Sequence, residues 1–79
     1  MDIACYDLRG LNCPLPVLKA RKRLASLPAR AQLWLETTDP LAVIDIPAFL
    51  AEAGHRLVRT EAVADGHRFL VETGSDQPR

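Results

Sequence analysis

Residues 3–8 alternate Ile, Cys and Asp on one side with Ala, Tyr and Leu on the other, the period of a strand, and then meet Gly10 and Asn12, which favour a turn. Over residues 14–27 the period changes. Val17, Ala20, Leu24 and Leu27 recur at steps of three and four while Lys19, Lys22 and Arg23 fall off that line, which predicts an amphipathic helix closed by Pro28. Alternation returns over residues 32–38, with Leu33, Leu35 and Thr37 opposite Trp34, Glu36 and Thr38. Asp39 and Pro40 then predict a helix start, as N-cap and first helical residue. Pro47 lacks the N–H that a helix interior uses, so a short turn over 41–44 and a second segment over 46–53 are expected, stopped by Gly54. Two β-rich runs, 55–63 and 68–73, flank Ala64-Asp65-Gly66-His67, and the Asp-Gly pair predicts a hairpin.

Strands alternating with helices and followed by a hairpin give the order βαβαββ. The expected fold is an α/β chain of the α+β two-layer sandwich type: a mixed four-stranded sheet with two helices on one face. Residues 1–73 are expected to form a single domain, and 74–79, with Gly and Pro and no apolar anchor, a flexible C-terminal tail. The uncovered sheet face is expected to carry Arg59, Glu61, Arg68 and Glu72 as solvated cross-strand pairs, with Trp34 engaged in packing.

Charge narrows the function. Ten basic and ten acidic side chains cancel, which is not the footprint of a phosphate-backbone binder. No apolar run approaches the roughly 20 residues that span a bilayer, and residues 1–6 lack the pattern of a signal peptide, so a cytoplasmic location is expected. Two cysteines are too few for a disulfide scaffold, and their spacing with His55 and His67 matches neither half of the usual zinc-finger pattern. Cys5, inside a strand, reads as a small core residue, His55 as a structural group near backbone, and His67 as part of the hairpin loop.

Cys13 reads differently. Taking Asn12-Cys13-Pro14-Leu15-Pro16 as a helix start places Cys13 at the N-cap and the prolines at the first and third helical positions. Since Pro16 has no N–H, the natural donor to the sulfur is the Leu15 backbone N–H, and that bond with the positive helix end favours a thiolate. Such a group is both a nucleophile and a handle for sulfane sulfur, with Arg9 and Lys19 as cations able to approach the sulfur or an acidic partner. The alternative is a buried, inert thiol. Of the basic run, Lys19, Arg21, Lys22 and Arg23 also complement the C-terminal helix dipole.

The segment Asp7-Leu8-Arg9-Gly10-Leu11-Asn12-Cys13-Pro14-Leu15-Pro16-Val17-Leu18-Lys19 resembles the D-x-R-G-L-x-C-P-x-P-V-L-K signature of the TusA-like (SirA-like) sulfur-carrier proteins. Thr37-Thr38-Asp39-Pro40, Asp45-Ile46-Pro47-Ala48-Phe49 and Gly54-His55 follow in the order of that family's later blocks, so the resemblance covers nearly the whole chain. It implies a βαβαββ fold and a cysteine, here Cys13, that accepts and passes on sulfur with no metal or organic cofactor. It also implies a sulfur-donor protein, either a cysteine desulfurase or a rhodanese-like protein, and an acceptor protein in tRNA thiolation, molybdenum-cofactor assembly or sulfur oxidation. Direct contact with nucleic acid or membrane is not expected. A cysteine that some members carry after Phe49 is Leu50 here, and Asp39, Asp45 and Pro47 read as cap and backbone devices. A second class of function stays open, a regulatory or protein-interaction module with a redox-sensitive cysteine; a thiol-disulfide oxidoreductase is disfavoured because Cys13 has no C-x-x-C partner.

Overall fold

The computed structural model describes residues 3–74. Its elements are β1 (Cys5–Leu8), α1 (Leu15–Ala25), β2 (Gln32–Thr37), α2 (Ala42–Ala53), β3 (Arg56–Val63) and β4 (Gly66–Glu72). The sheet order is β1-β2-β4-β3. β1 runs parallel to β2, pairing Cys5 with Trp34 and Leu8 with Thr37, while β4 is antiparallel to both β2 and β3. The expected mixed sheet is therefore present.

Alternation along the strands decides which face is covered. Leu8, Leu33, Leu35, Phe69 and Val71 form one core with Ala20 and Leu24 of α1 and Ala42, Ile46, Phe49 and Leu50 of α2. Both helices thus lie on one face. Each buried aliphatic or aromatic side chain contributes about 1.5–3 kcal/mol of transfer free energy, which is why the helical stripes seen in sequence became the packed faces.

The opposite face carries Cys5, Trp34, Glu36, Arg68 and Leu70 in adjoining register positions. Cys5 is exposed there, so the core placement expected for it is wrong: β1 is an edge strand, and the side of it that Cys5 shares with Asp7 meets no helix. Trp34 is half-buried, with the Arg68 guanidinium 4.0 Å above its ring. Arg56 and Glu72 pair across strands at 3.4 Å, Arg68 and Glu61 at 3.7 Å, and Arg59 meets Glu61 within β3 at 2.8 Å.

Three expectations about the helices are corrected. α2 is continuous from Ala42 to Ala53 with Pro47 inside it. The hydrogen bond that proline removes is outweighed by a face that buries Ala42, Ile46, Phe49 and Leu50 together, and the residue one turn earlier, Val43, is exposed where water can serve its carbonyl. Asp39 is not the N-cap, a position held by Leu41. α1 begins at Leu15 with Pro14 as its N-cap, which puts Cys13 one residue outside the helix.

Gly54 ends α2 as expected, at φ 84°, with His55 N–H bonded to the Leu50 carbonyl at 2.9 Å. The hairpin turn is shorter than expected: Val63 pairs with Gly66, leaving Ala64 and Asp65 as the turn and His67 within β4. Of the expected tail, residues 75–79 lie outside the described residues, while Gly74 donates its N–H to His55 Nδ1 at 3.1 Å. Among the described residues no helix is long and apolar enough to cross a membrane.

Candidate functional site

Parallel pairing of β1 and β2 puts their C-terminal ends at one edge of the sheet, and the loop leaving each strand there leads to the N-terminus of a helix. The two loops are stitched together. Gly10 N–H donates to Thr38 Oγ1 at 2.8 Å, and Cys13 N–H donates to Asp39 Oδ2 at 2.8 Å. The other oxygen of Asp39 accepts from Leu41 N–H at 3.2 Å. Asp39 is 8% exposed, so one carboxylate both orders the start of α2 and fixes the Cys13 backbone.

That anchoring leaves the Cys13 side chain exposed at the end of a groove of about 450 Å³ between the helices. Pro14, Val17 and Arg21 form the α1 wall, and Asp45, Phe49 and Glu52 the α2 wall. Pro14, joined to Cys13 by a cis peptide bond, and Pro16, buried in the first turn, frame the start of the helix. The Arg21 guanidinium stands 5.2 Å from the Phe49 ring centre, a cation–π contact that lays the arginine along the groove.

The expected donor to the sulfur is absent from that role. Leu15 N–H donates instead to the Asn12 carbonyl at 2.8 Å, because the turn preceding the helix closes on itself. Cys13 Sγ lies 3.3 Å from Asp45 Oδ2, with the thiol as donor. The thiol's pKa is pushed up, first by that hydrogen bond, then by partial desolvation and by the charges of Asp45 and Asp39. A carboxylate accepting from the thiol opposes its ionisation, contrary to the lowered pKa expected from the helix end.

The other expected site residues separate. Arg9 is engaged by Asp7 through Nε at 2.9 Å and Nη2 at 3.1 Å, a pair that holds the Asp7 carboxyl down at about 2. Lys19 lines a different groove, with Tyr6, Lys22 and Arg23, where Arg23 stands 5.1 Å from the Tyr6 ring centre. Arg21, read in sequence only as one member of a basic run, is the cation of that run in the Cys13 groove. Asp39 and Asp45, read as backbone devices, both reach Cys13. The signal that locates them is topological: once β1 and β2 are paired in parallel, both helix N-termini and the residues there share one edge.

Cys5 Sγ lies 3.8 Å from Glu36 Oε1 on the open sheet face, and its pKa is raised by burial and then by Glu36. His55, its ring edge-on to Phe49 and its pKa lowered by burial, makes the backbone contact expected of it, accepting from Gly74 N–H. His67 stacks on Phe69 within the sheet. Among the described residues no three of His, Cys, Asp and Glu stand so as to hold a metal ion.

Residues 5–73 match the family model described as Sulfurtransferase TusA. The chain is 36% identical over 66 residues to the sulfur carrier protein TusA of Allochromatium vinosum, covering 84% of this chain and 87% of that one. It is also 33% identical over 70 residues to the putative sulfur carrier protein YrkF of Bacillus subtilis, covering 89% of this chain but 38% of that longer one. Every residue named in the groove lies inside the matched span.

Proposed function

Since the chain belongs to the TusA sulfurtransferase family, whose carriers act in sulfur relays, we propose that it carries sulfane sulfur as a persulfide on Cys13. The observation that supports this most is the exposed Cys13 thiol at the end of an open groove, its backbone fixed by Asp39, within a C-P-x-P segment inside the family match. In loading, the Cys13 sulfur attacks the terminal sulfur of a donor persulfide. The donor's sulfur–sulfur bond breaks, its thiolate leaves and takes up the proton that Cys13 gave up, and no net oxidation occurs. Delivery is the same exchange with an acceptor thiol.

The partners proposed are a cysteine desulfurase or rhodanese-like donor and an acceptor protein in tRNA thiolation, molybdenum-cofactor assembly or sulfur oxidation. Arg9 and Lys19, one paired with Asp7 and the other in a separate groove, are assigned to meeting acidic partner surfaces rather than the sulfur itself. A groove open along its length suits a partner that must bring its own cysteine against Cys13.

Intact-protein mass spectrometry tests the assignment. After incubation with a desulfurase and cysteine, the wild type and Cys5→Ser should gain one sulfur atom, removable by reduction, and Cys13→Ser should gain none. An increment retained in Cys13→Ser, or no increment from either class of donor, overturns Cys13 as the carrier residue and leaves the exposed sheet and helix surfaces as a protein-interaction module.

A further inference from the structure

We propose that Asp45 is a positioning residue that makes the site tell its empty state from its loaded one: its carboxylate holds the empty Cys13 thiol as a neutral donor and repels the persulfide anion. The inference deepens the carrier reading and rests on it. Its geometric basis is the 3.3 Å contact from Cys13 Sγ to Asp45 Oδ2, made across the groove from the loop before α1 to the first turn of α2.

The charged groups that share the groove with the sulfur are of both signs. Asp45 bonds it, Asp39 holds the adjacent backbone N–H, and Glu52 and Arg21 line the same groove from α2 and α1. In the empty carrier the proton between sulfur and carboxylate satisfies both atoms, and the elevated thiol pKa agrees with that arrangement. Once the sulfur has been extended to Cys13–S–S⁻ the proton is gone. A persulfide is a stronger acid than its parent thiol, so the loaded side chain is an anion, and two anions then face each other where one hydrogen bond stood. The terminal sulfur is driven from Asp45 toward the Arg21 side of the groove and the open solvent.

Two consequences follow for the relay. The empty thiol is a poor nucleophile on its own, because the nucleophile is the thiolate and Asp45 opposes its formation. Delivery is favoured over retention, because the carboxylate stabilises the product of delivery, the thiol, and not the persulfide; a group that binds one state better shifts the equilibrium by that difference. Asp45 neither gains nor loses a covalent bond in this scheme.

The test uses the Cys5→Ser protein, so that Cys13 is the single thiol, and follows iodoacetamide alkylation against pH with and without Asp45→Asn. The isosteric amide should move the rate–pH profile of the empty protein to lower pH and speed alkylation at pH 7 several-fold, with an unchanged circular dichroism spectrum. The gap in rate between loaded and empty protein, wide with Asp45, should narrow in the variant. As a measurement that needs no substitution at Asp45, the infrared S–H stretch of the empty protein should lie at the lower frequency of a thiol bonded to a carboxylate. An unchanged profile in a folded Asp45→Asn protein, or an S–H band at the free-thiol position, overturns the proposal. Failure of sulfur carriage itself would show separately, as a shifted profile in a protein that takes up no sulfur.

Discussion

Asp39 joins two loops through one carboxylate, accepting from Cys13 N–H and from Leu41 N–H while almost fully buried. Removing it takes the acceptor from both donors, and a hydrogen bond to a charged group is worth about 1.5–3 kcal/mol. Asp39→Ala should therefore lose about 2 kcal/mol in urea unfolding. It should also leave the Cys13 loop less ordered, visible as faster amide exchange at Cys13 and Leu41. The exposed pair of Asp7 and Arg9 is a contrast: it is well formed but surrounded by water, so it adds little to stability. The surroundings of Cys13 are thus set less by its immediate neighbours in sequence than by two acids from across the fold.

At the scale of elements, the close approach of the β3–β4 hairpin to the end of β2 depends on Gly66. A Cβ there would overlap the Thr37 carbonyl oxygen, and the obstacle is backbone that cannot swing aside. Gly66→Ala should cost about 2 kcal/mol or more, read as a lower thermal midpoint. Since Thr37 leads directly into the loop that carries Thr38 and Asp39, the same variant should weaken the anchoring of Cys13. Pro47 shows the opposite balance. Its local penalty is real, yet α2 runs through it because four core side chains on the same helix are buried only when the helix stays whole.

For the molecule as a whole, the sheet, α2 and the end of β4 meet at His55, whose Nδ1 accepts from Gly74 N–H and whose ring packs against Phe49. Burial lowers its pKa in the folded state, so protonation favours the unfolded chain. The sign follows from linkage. With a folded value below the unfolded one of about 6.5, the contribution is complete above that pH and is lost as pH falls through the folded value. The wild-type melting temperature should therefore decline between about pH 7 and pH 5 more steeply than that of His55→Gln, in calorimetry at matched ionic strength. Equal slopes would assign the acid sensitivity elsewhere; Asp7, held down at about 2, titrates well below this window.

The spacing of apolar positions, together with the Gly, Pro and Asp signals between them, determined the element order, the type of every element and the placing of both helices on one face of the sheet, because burial of alternate or every third and fourth side chain is the dominant driving force of folding and is written in local spacing. The residue proposed to carry sulfur stood out too, through Cys13-Pro14-Leu15-Pro16 and the segments around it. Tertiary structure decided what local spacing does not contain. It kept α2 unbroken at Pro47, because packing outweighed a local penalty. It exposed Cys5, because only the sheet order makes β1 an edge and only helix placement leaves one of its sides open. Above all it set the surroundings of Cys13: helix-end position argued for a lowered thiol pKa, but the parallel pairing of β1 and β2 delivered Asp39 and Asp45, from more than twenty residues away, and both push it up. Electrostatic interaction depends on distance in space, which a pattern along the chain does not record.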